Sequence, residues 1–134
     1  MTMPTPLRLR IMAIIALVFG LLTIFMGGQV LFIDGTARAA AGHTVPFILW
    51  FNFIAGFFYC LAGAGLWLAR LWAGRLSMAI AMATMLAFAA LGVHILMGGA
   101  FEMRTLAAMV LRSLVWLAIA FTACRTLLAA RAAE

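Results

Sequence analysis

The stretch Ile11–Ile33, IMAIIALVFGLLTIFMGGQVLFI, carries no charged residue, and its reading decides the fold. A helix needs about 20 predominantly apolar residues to cross a hydrocarbon core of about 30 Å. Three further runs meet that length: Val45–Ala69, Leu76–Met97 and Thr105–Cys124. With 69% hydrophobic and 9% charged residues among 134 and a mean hydropathy of +1.24, a water-soluble globule would expose far more apolar surface than small folded chains carry. A backbone surrounded by lipid must satisfy its own hydrogen bonds, and the runs lack the alternation of barrel strands, so each reads as a helix. The expected fold is all-α, an integral membrane four-helix bundle forming one transmembrane domain over residues 1–134.

The breaks between runs are short. Asp34-Gly35 closes the first span, and Pro46 opens the second, where its missing N–H is harmless. Arg70–Arg75 turns span two back beside span three, and Gly98–Arg104 does the same for spans three and four. The segment Asp34–Thr44 is the longest connection, and its Thr36-Ala37-Arg38-Ala39-Ala40-Ala41 reads as a short interfacial helix. The first run is longer than the roughly 7–15 apolar residues of a signal peptide, so it is expected to stay as a span.

Arginine sets the expected orientation, because the chain has no lysine. Arg8, Arg10, Arg70, Arg75, Arg125 and Arg131 fall on the amino-terminal side, against Arg38 and Arg104 on the other, with Arg112 inside span four. That bias places both termini in the cytoplasm of a bacterial-type inner (plasma) membrane. Trp67 and Trp72 then lie at the inner interface and Trp50 near the outer one. The net charge of +6 is a topology signal and a contact with anionic headgroups; no nucleic-acid partner is expected.

In lipid, helices associate through small residues. Gly56, Cys60 and Ala64 make such a stripe on span two, with Gly63 and Gly65 beside them, and Ala79, Ala83 and Ala87 another on span three, predicting tight contact within the chain or between copies. Cys60 and Cys124 stand alone in their spans, without the Cys-x-x-Cys of a redox pair or metal clamp. Met97, Met103 and Met109 with His94 are soft ligands of the kind that suit Cu(I), but their spacing is not compact and Met commonly fills gaps; no metal site is expected.

The polar residues kept inside the spans are the candidates for function. Counting from the turns, Gln29, Asn52, His94 and Arg112 all fall in the outer half, with Glu102 in the adjoining turn and Asp34 and His43 at the same face. Glu102 is placed to pair with Arg112, which otherwise would snorkel to the headgroups; Asn52 and Gln29 read equally as interhelical glue. Such a cluster suits the head of a quinone, His94 or Glu102 moving protons and Arg112 stabilising the reduced oxygen. No catalytic set is expected: three acidic residues, one of them terminal, build neither a triad nor a carboxylate pair. Span one has no acidic residue, so the coupling glutamate of small multidrug transporters is missing.

One resemblance is carried by Leu7-Arg8-Leu9-Arg10, Phe19-Gly20-Leu21 and Met26-Gly27-Gly28, then Ala62-Gly63-Ala64-Gly65-Leu66 leading through Arg70 to Ala73-Gly74-Arg75-Leu76. Over roughly the first two-thirds of the chain this resembles the DoxX-like group of small four-helix bacterial membrane proteins. The lysine usual near the end of that group's first helix is replaced by Gln29-Val30. The resemblance implies a membrane subunit associated with quinone-linked oxidoreductases or redox stress, and no catalytic residue is carried over from it. The expectation is therefore a non-enzymatic accessory or assembly subunit without a cofactor, forming a homo-oligomer or part of a larger membrane complex. A quinone- or cofactor-binding redox subunit is the alternative, and an oligomeric small-solute carrier or channel a further one.

Overall fold

The computed structural model describes residues 5–33, 39, 40, 42 and 44–132. Four helices account for nearly all of them: α1 Leu7–Phe32, α2 Pro46–Trp67, α3 Leu71–Leu96 and α4 Met103–Ala132. Each is long and apolar enough to cross a membrane. Their 26, 22, 26 and 30 residues correspond to about 33–45 Å at about 1.5 Å per residue. Helices α1, α3 and α4 run beyond the apolar runs that announce them, so Arg8, Arg10, Arg75, Arg125 and Arg131 stand on helical turns rather than in loops. Asp34, Gly35, Thr36–Arg38, Ala41 and His43 lie outside the described residues; Ala39 and Ala40 are helical.

The two tight turns share one hydrogen-bond pattern, closed by a glycine in one and by an alanine in the other. At the end of α3, Gly98 takes φ +83°, Gly99 N–H donates to the His94 carbonyl at 2.9 Å and Gly98 N–H to that of Ile95 at 3.0 Å, which satisfies carbonyls the helix leaves open. The α2 end uses the same pattern without a glycine: Ala69 sits at φ +53°, with Arg70 N–H bonded to the Gly65 carbonyl at 2.9 Å and Ala69 N–H to that of Leu66 at 3.0 Å. Pro46 begins α2 as expected, with Val45 as its cap.

Packing is unequal around the ring of helices. α1 lies closely along α2 and α3 along α4, whereas the α2–α3 and α1–α4 seams are looser, so the fold is two tight hairpins set side by side. The α1–α2 contact depends on missing side chains. A methyl group on Gly20 would stand 2.7 Å from Cys60 Sγ and 2.9 Å from the Gly56 carbonyl, and one on Gly63 would stand 3.1 Å from the Ala13 carbonyl. The small-residue stripe is thus Gly56, Cys60 and Gly63. Ala64, grouped with them by spacing, is exposed, because steps of four drift around a helix of 3.6 residues per turn. The row Ala79, Ala83, Ala87 drifts likewise, from an exposed Ala79 to an Ala87 packed on a core cluster. The α3 face against the rest of the bundle is instead Ala73, Ser77, Ile80, Thr84 and Leu91.

The main core draws on all four helices and includes Leu9, Tyr59, Leu66, Ile80, Trp116 and Ile119. A smaller one, Val45, Ile48, Leu91 and Met109, fills the end of the bundle near the α3–α4 turn. Buried Ser77 and Ser113 donate to the carbonyls four residues earlier on their own helices, each at 2.8 Å, which satisfies a hydroxyl without a partner helix. At the other end of the bundle, Arg10 stacks over Trp67, 5.6 Å from the ring centroid, and Thr5 donates to the Trp67 carbonyl at 3.1 Å. These contacts join the start of α1 to the end of α2.

Candidate functional site

The polar residues singled out from the sequence do not form one cluster. His94 folds back over the α3–α4 turn: its Nε2–H donates to the Ala100 carbonyl at 3.0 Å, its ring meets Phe47 edge-on at 6.0 Å, and it lies against Gly99, where a methyl group would run into the imidazole. Glu102 immediately precedes α4. Its carbonyl accepts from Thr105 and Leu106 N–H at 3.0 and 3.3 Å, and its carboxylate lies against Gly42, close to the positive end of the α4 dipole. Arg104 beside it bonds the Ala40 carbonyl. Gln29 is half-buried on the last turn of α1.

Arg112 turns away from this end of the bundle. Its Nη1 donates to Thr23 Oγ1 on α1 at 3.1 Å, and its guanidinium carbon stands 5.3 Å from the centroid of the Phe19 ring. Thr23 is nine residues from the end of α1 at Phe32, about 13 Å along the axis. The expected pairing with Glu102 and snorkelling to the headgroups are therefore replaced by a cation held deep in the bundle, at the α1–α4 seam. The reason is shape: α1 offers a hydroxyl and a ring face one turn apart, where the arginine stem ends.

From Arg112 an aromatic path crosses the bundle. Phe19 is tilted against Tyr59 at 6.0 Å, and Tyr59 against Trp116 at 4.7 Å, returning to α4 one turn from Arg112. Tyr59, Trp116 and Thr84 are fully buried. Since Cys124 contacts the Gly74 carbonyl and α3 and α4 run oppositely, Thr84 lies about level with Leu114. Asn52 shares the inward face of α2 with Ile48, Ala55 and Tyr59. Among the described residues, Asn52 Oδ1, Tyr59 Oη, Thr84 Oγ1, Arg112 Nε and Trp116 Nε1 are buried without a hydrogen-bond partner. Of these five, α2 contributes two, α3 one and α4 two. Sequence reasoning found Arg112 and Asn52 by their polarity but missed Thr23, Tyr59, Thr84 and Trp116; their signal is burial of a polar atom, which appears only when the helices are assembled.

The energetics of Arg112 are nearly self-contained. A central arginine costs roughly 3 kcal/mol on insertion scales; its bond to Thr23 contributes about 1.5–3 kcal/mol and a desolvated ring stack about 2 kcal/mol. The two partners shown for the guanidinium, Thr23 Oγ1 and the Phe19 ring, are both neutral.

The α2–α3 seam opens as a groove of about 310 Å³, walled by Phe51, Ile54 and Phe58 and floored by Ala55, Ala79, Ile80 and Ala83. It is almost wholly apolar. Of the row expected to pack within the chain or between copies, Ala79 and half-buried Ala83 line this groove. The soft ligands do not converge: Met109 is buried in the smaller core, whereas Met97 and Met103 are exposed. Among the described residues, no group of three His, Cys, Asp or Glu side chains is placed to hold a metal ion. Comparison of the chain with protein-family models, curated proteins and solved structures gives no match.

Proposed function

We propose that the chain is a multi-pass protein of a bacterial-type inner membrane, with both termini in the cytoplasm, and that it works as a non-enzymatic accessory or assembly subunit. The observation that carries this reading is the open α2–α3 seam, an apolar groove where Ala79 and Ala83 lie beside Phe51, Ile54 and Phe58. Lipid gives no hydrophobic drive between helices, so a small-residue surface with aromatic walls is where close packing favours another helix. The segregation of Arg8, Arg10, Arg70, Arg75, Arg125 and Arg131 to one end of the bundle supports the orientation. The DoxX-like resemblance, with its association with quinone-linked oxidoreductases, belongs to the same reading.

The test fills the groove. Ala83→Phe, compared with wild type by native mass spectrometry from mild detergent, should release the chain from an assembly larger than its 14.4 kDa while leaving its helix content unchanged. A wild-type chain that is monomeric in detergent, in nanodiscs and in cross-linked membranes would defeat the proposal.

A second reading, a quinone-binding redox subunit, is favoured by one observation: the buried donors Arg112 Nε and Trp116 Nε1 stand without hydrogen-bond partners among the described residues, and a quinone oxygen accepts such bonds. Lipid extraction of the purified protein should then yield quinone in stoichiometric amount, lost on Arg112→Gln; a quinone-free, colourless preparation would reject it.

A further inference from the structure

We infer that the α2–α3 groove holds an acyl chain of an anionic phospholipid, whose phosphate is met by Arg70 and Arg75 at the end of the groove nearer the α2–α3 turn. The inference goes beyond the accessory-subunit reading and does not need it: the lipid fills the seam while no partner helix stands there.

The groove runs from Leu76 to Ala83 on α3 and from Phe58 to Phe51 on α2, about 10 Å along the helices. Its walls are almost entirely carbon. They offer a ligand none of the convergent polar groups that fix a polar molecule in a pocket, whereas a hydrocarbon chain fills such a slot along its length and brings no polar atom that needs a partner.

The two ends of the groove differ in charge. Towards the middle of the bundle it stops at Phe51 and Ala83, where α2 carries no charged residue and α3 none between Arg75 and His94. At the other end the seam is shut by Trp72, whose indole lies over Gly65 where a methyl group would run into it. Trp67 and Trp72 are each 45% exposed, and indoles so placed settle at headgroup level. Arg75 stands next to Leu76 and one helical turn before Ala79, on the same flank of α3. Arg70 caps α3, about 9 Å from Leu76 along the axis. Both arginines are exposed.

The spacing matches a phospholipid. A hydrocarbon core of about 30 Å within a bilayer of about 40–45 Å leaves about 5–8 Å for each headgroup layer. A chain lying between Leu76 and Ala83 therefore has its phosphate at the level spanned by Arg75 and Arg70. Guanidinium groups bind phosphate oxygens through paired N–H donors, and basic residues between membrane helices hold anionic headgroups in this way.

The probe is an equimolar mixture of phosphatidylglycerol and phosphatidylcholine with identical acyl chains, added to the full chain in mild detergent. Native mass spectrometry reads the first lipid bound. An arginine near the surface favours an anionic lipid by about fivefold, so the wild type should retain phosphatidylglycerol at least tenfold over phosphatidylcholine. Arg70→Gln combined with Arg75→Gln should bring that ratio close to one. Arg8→Gln combined with Arg131→Gln, at the same end of the bundle but on α1 and α4, should leave it unchanged. Ala83→Phe should lower retention of both lipids. Equal retention of the two lipids by the wild type would overturn the inference, as would the same loss of preference in both double variants, which would make it a property of the whole basic end. A wild type that retains neither lipid and appears as a dimer would assign the groove to a second copy instead. A monomeric chain that retains phosphatidylglycerol defeats the partner-helix reading alone, and an assembly released by Ala83→Phe without lipid preference defeats this one alone.

Discussion

Replacing glycine by alanine at two helical positions should give changes of opposite sign. In both cases the helix gains about 0.8–1 kcal/mol of intrinsic propensity. At Gly92 a methyl group meets nothing within 4 Å, so Gly92→Ala should stabilise the bundle by about that amount. At Gly20 the same methyl would lie 2.7 Å from Cys60 Sγ, 2.9 Å from the Gly56 carbonyl and 3.0 Å from Tyr59 Cβ. A thiol can rotate, but a backbone carbonyl cannot, so α1 and α2 must separate. Overpacking of this kind costs about 1–3 kcal/mol, and separation also loosens the Phe19–Tyr59 contact beside it, placing the cost at the upper end. The net for Gly20→Ala is a loss of about 2 kcal/mol, and the two variants should differ by about 3 kcal/mol. Reversible unfolding in mixed detergent, followed by far-ultraviolet circular dichroism and tryptophan emission, measures both. Gly20→Ala as stable as Gly92→Ala would refute the close α1–α2 approach.

Further outcomes follow from single contacts. Ala69→Gly should stabilise by about 0.5–1 kcal/mol, since Ala at φ +53° carries roughly 1–2 kcal/mol of left-handed strain partly offset by glycine's entropy; thermal unfolding in detergent checks it, and destabilisation would count against the turn. Thr23→Val removes the hydroxyl that accepts from Arg112 and should cost about 1.5–3 kcal/mol. In an Arg112→Met background the same change should cost little, and additive effects would deny the contact. His94→Ala removes the Nε2–H bond to the Ala100 carbonyl and should cost about 1 kcal/mol, leaving the absorption spectrum of the purified protein unchanged; loss of a bound chromophore would instead make His94 a ligand.

The helices were legible because lipid-length apolar runs need no partner to be recognised. Pro46 and Gly98 announce their turns for the same reason, each fixing a local backbone geometry. Other features depend on where helices meet. Ala69 closes a turn without glycine, so no residue type betrays it. Arg112 and Thr23 are 89 positions apart, and only the adjacency of α1 and α4 shows that a hydroxyl waits at mid-depth; read alone, α4 points the arginine toward Glu102. Spacing by fours likewise picked out Gly56 and Cys60 correctly, but over two turns it drifts off the contact, so Gly63 rather than Ala64 completes the α1 face. The unpartnered Tyr59, Thr84 and Trp116 atoms carry no signal in the sequence, where such residues pass as ordinary members of an apolar run.

The proposed arrangement has four helices crossing a membrane with the arginine-rich end inside. Single cysteines placed at Ala40 and at Ala130, after Cys60 and Cys124 are changed to Ser, measure this most directly in intact cells treated with a membrane-impermeant maleimide. Ala40→Cys should react at once, and Ala130→Cys only after the membrane is opened. Labelling of Ala130→Cys alone would reverse the orientation, and equal labelling of both in sealed cells would contradict the crossing itself.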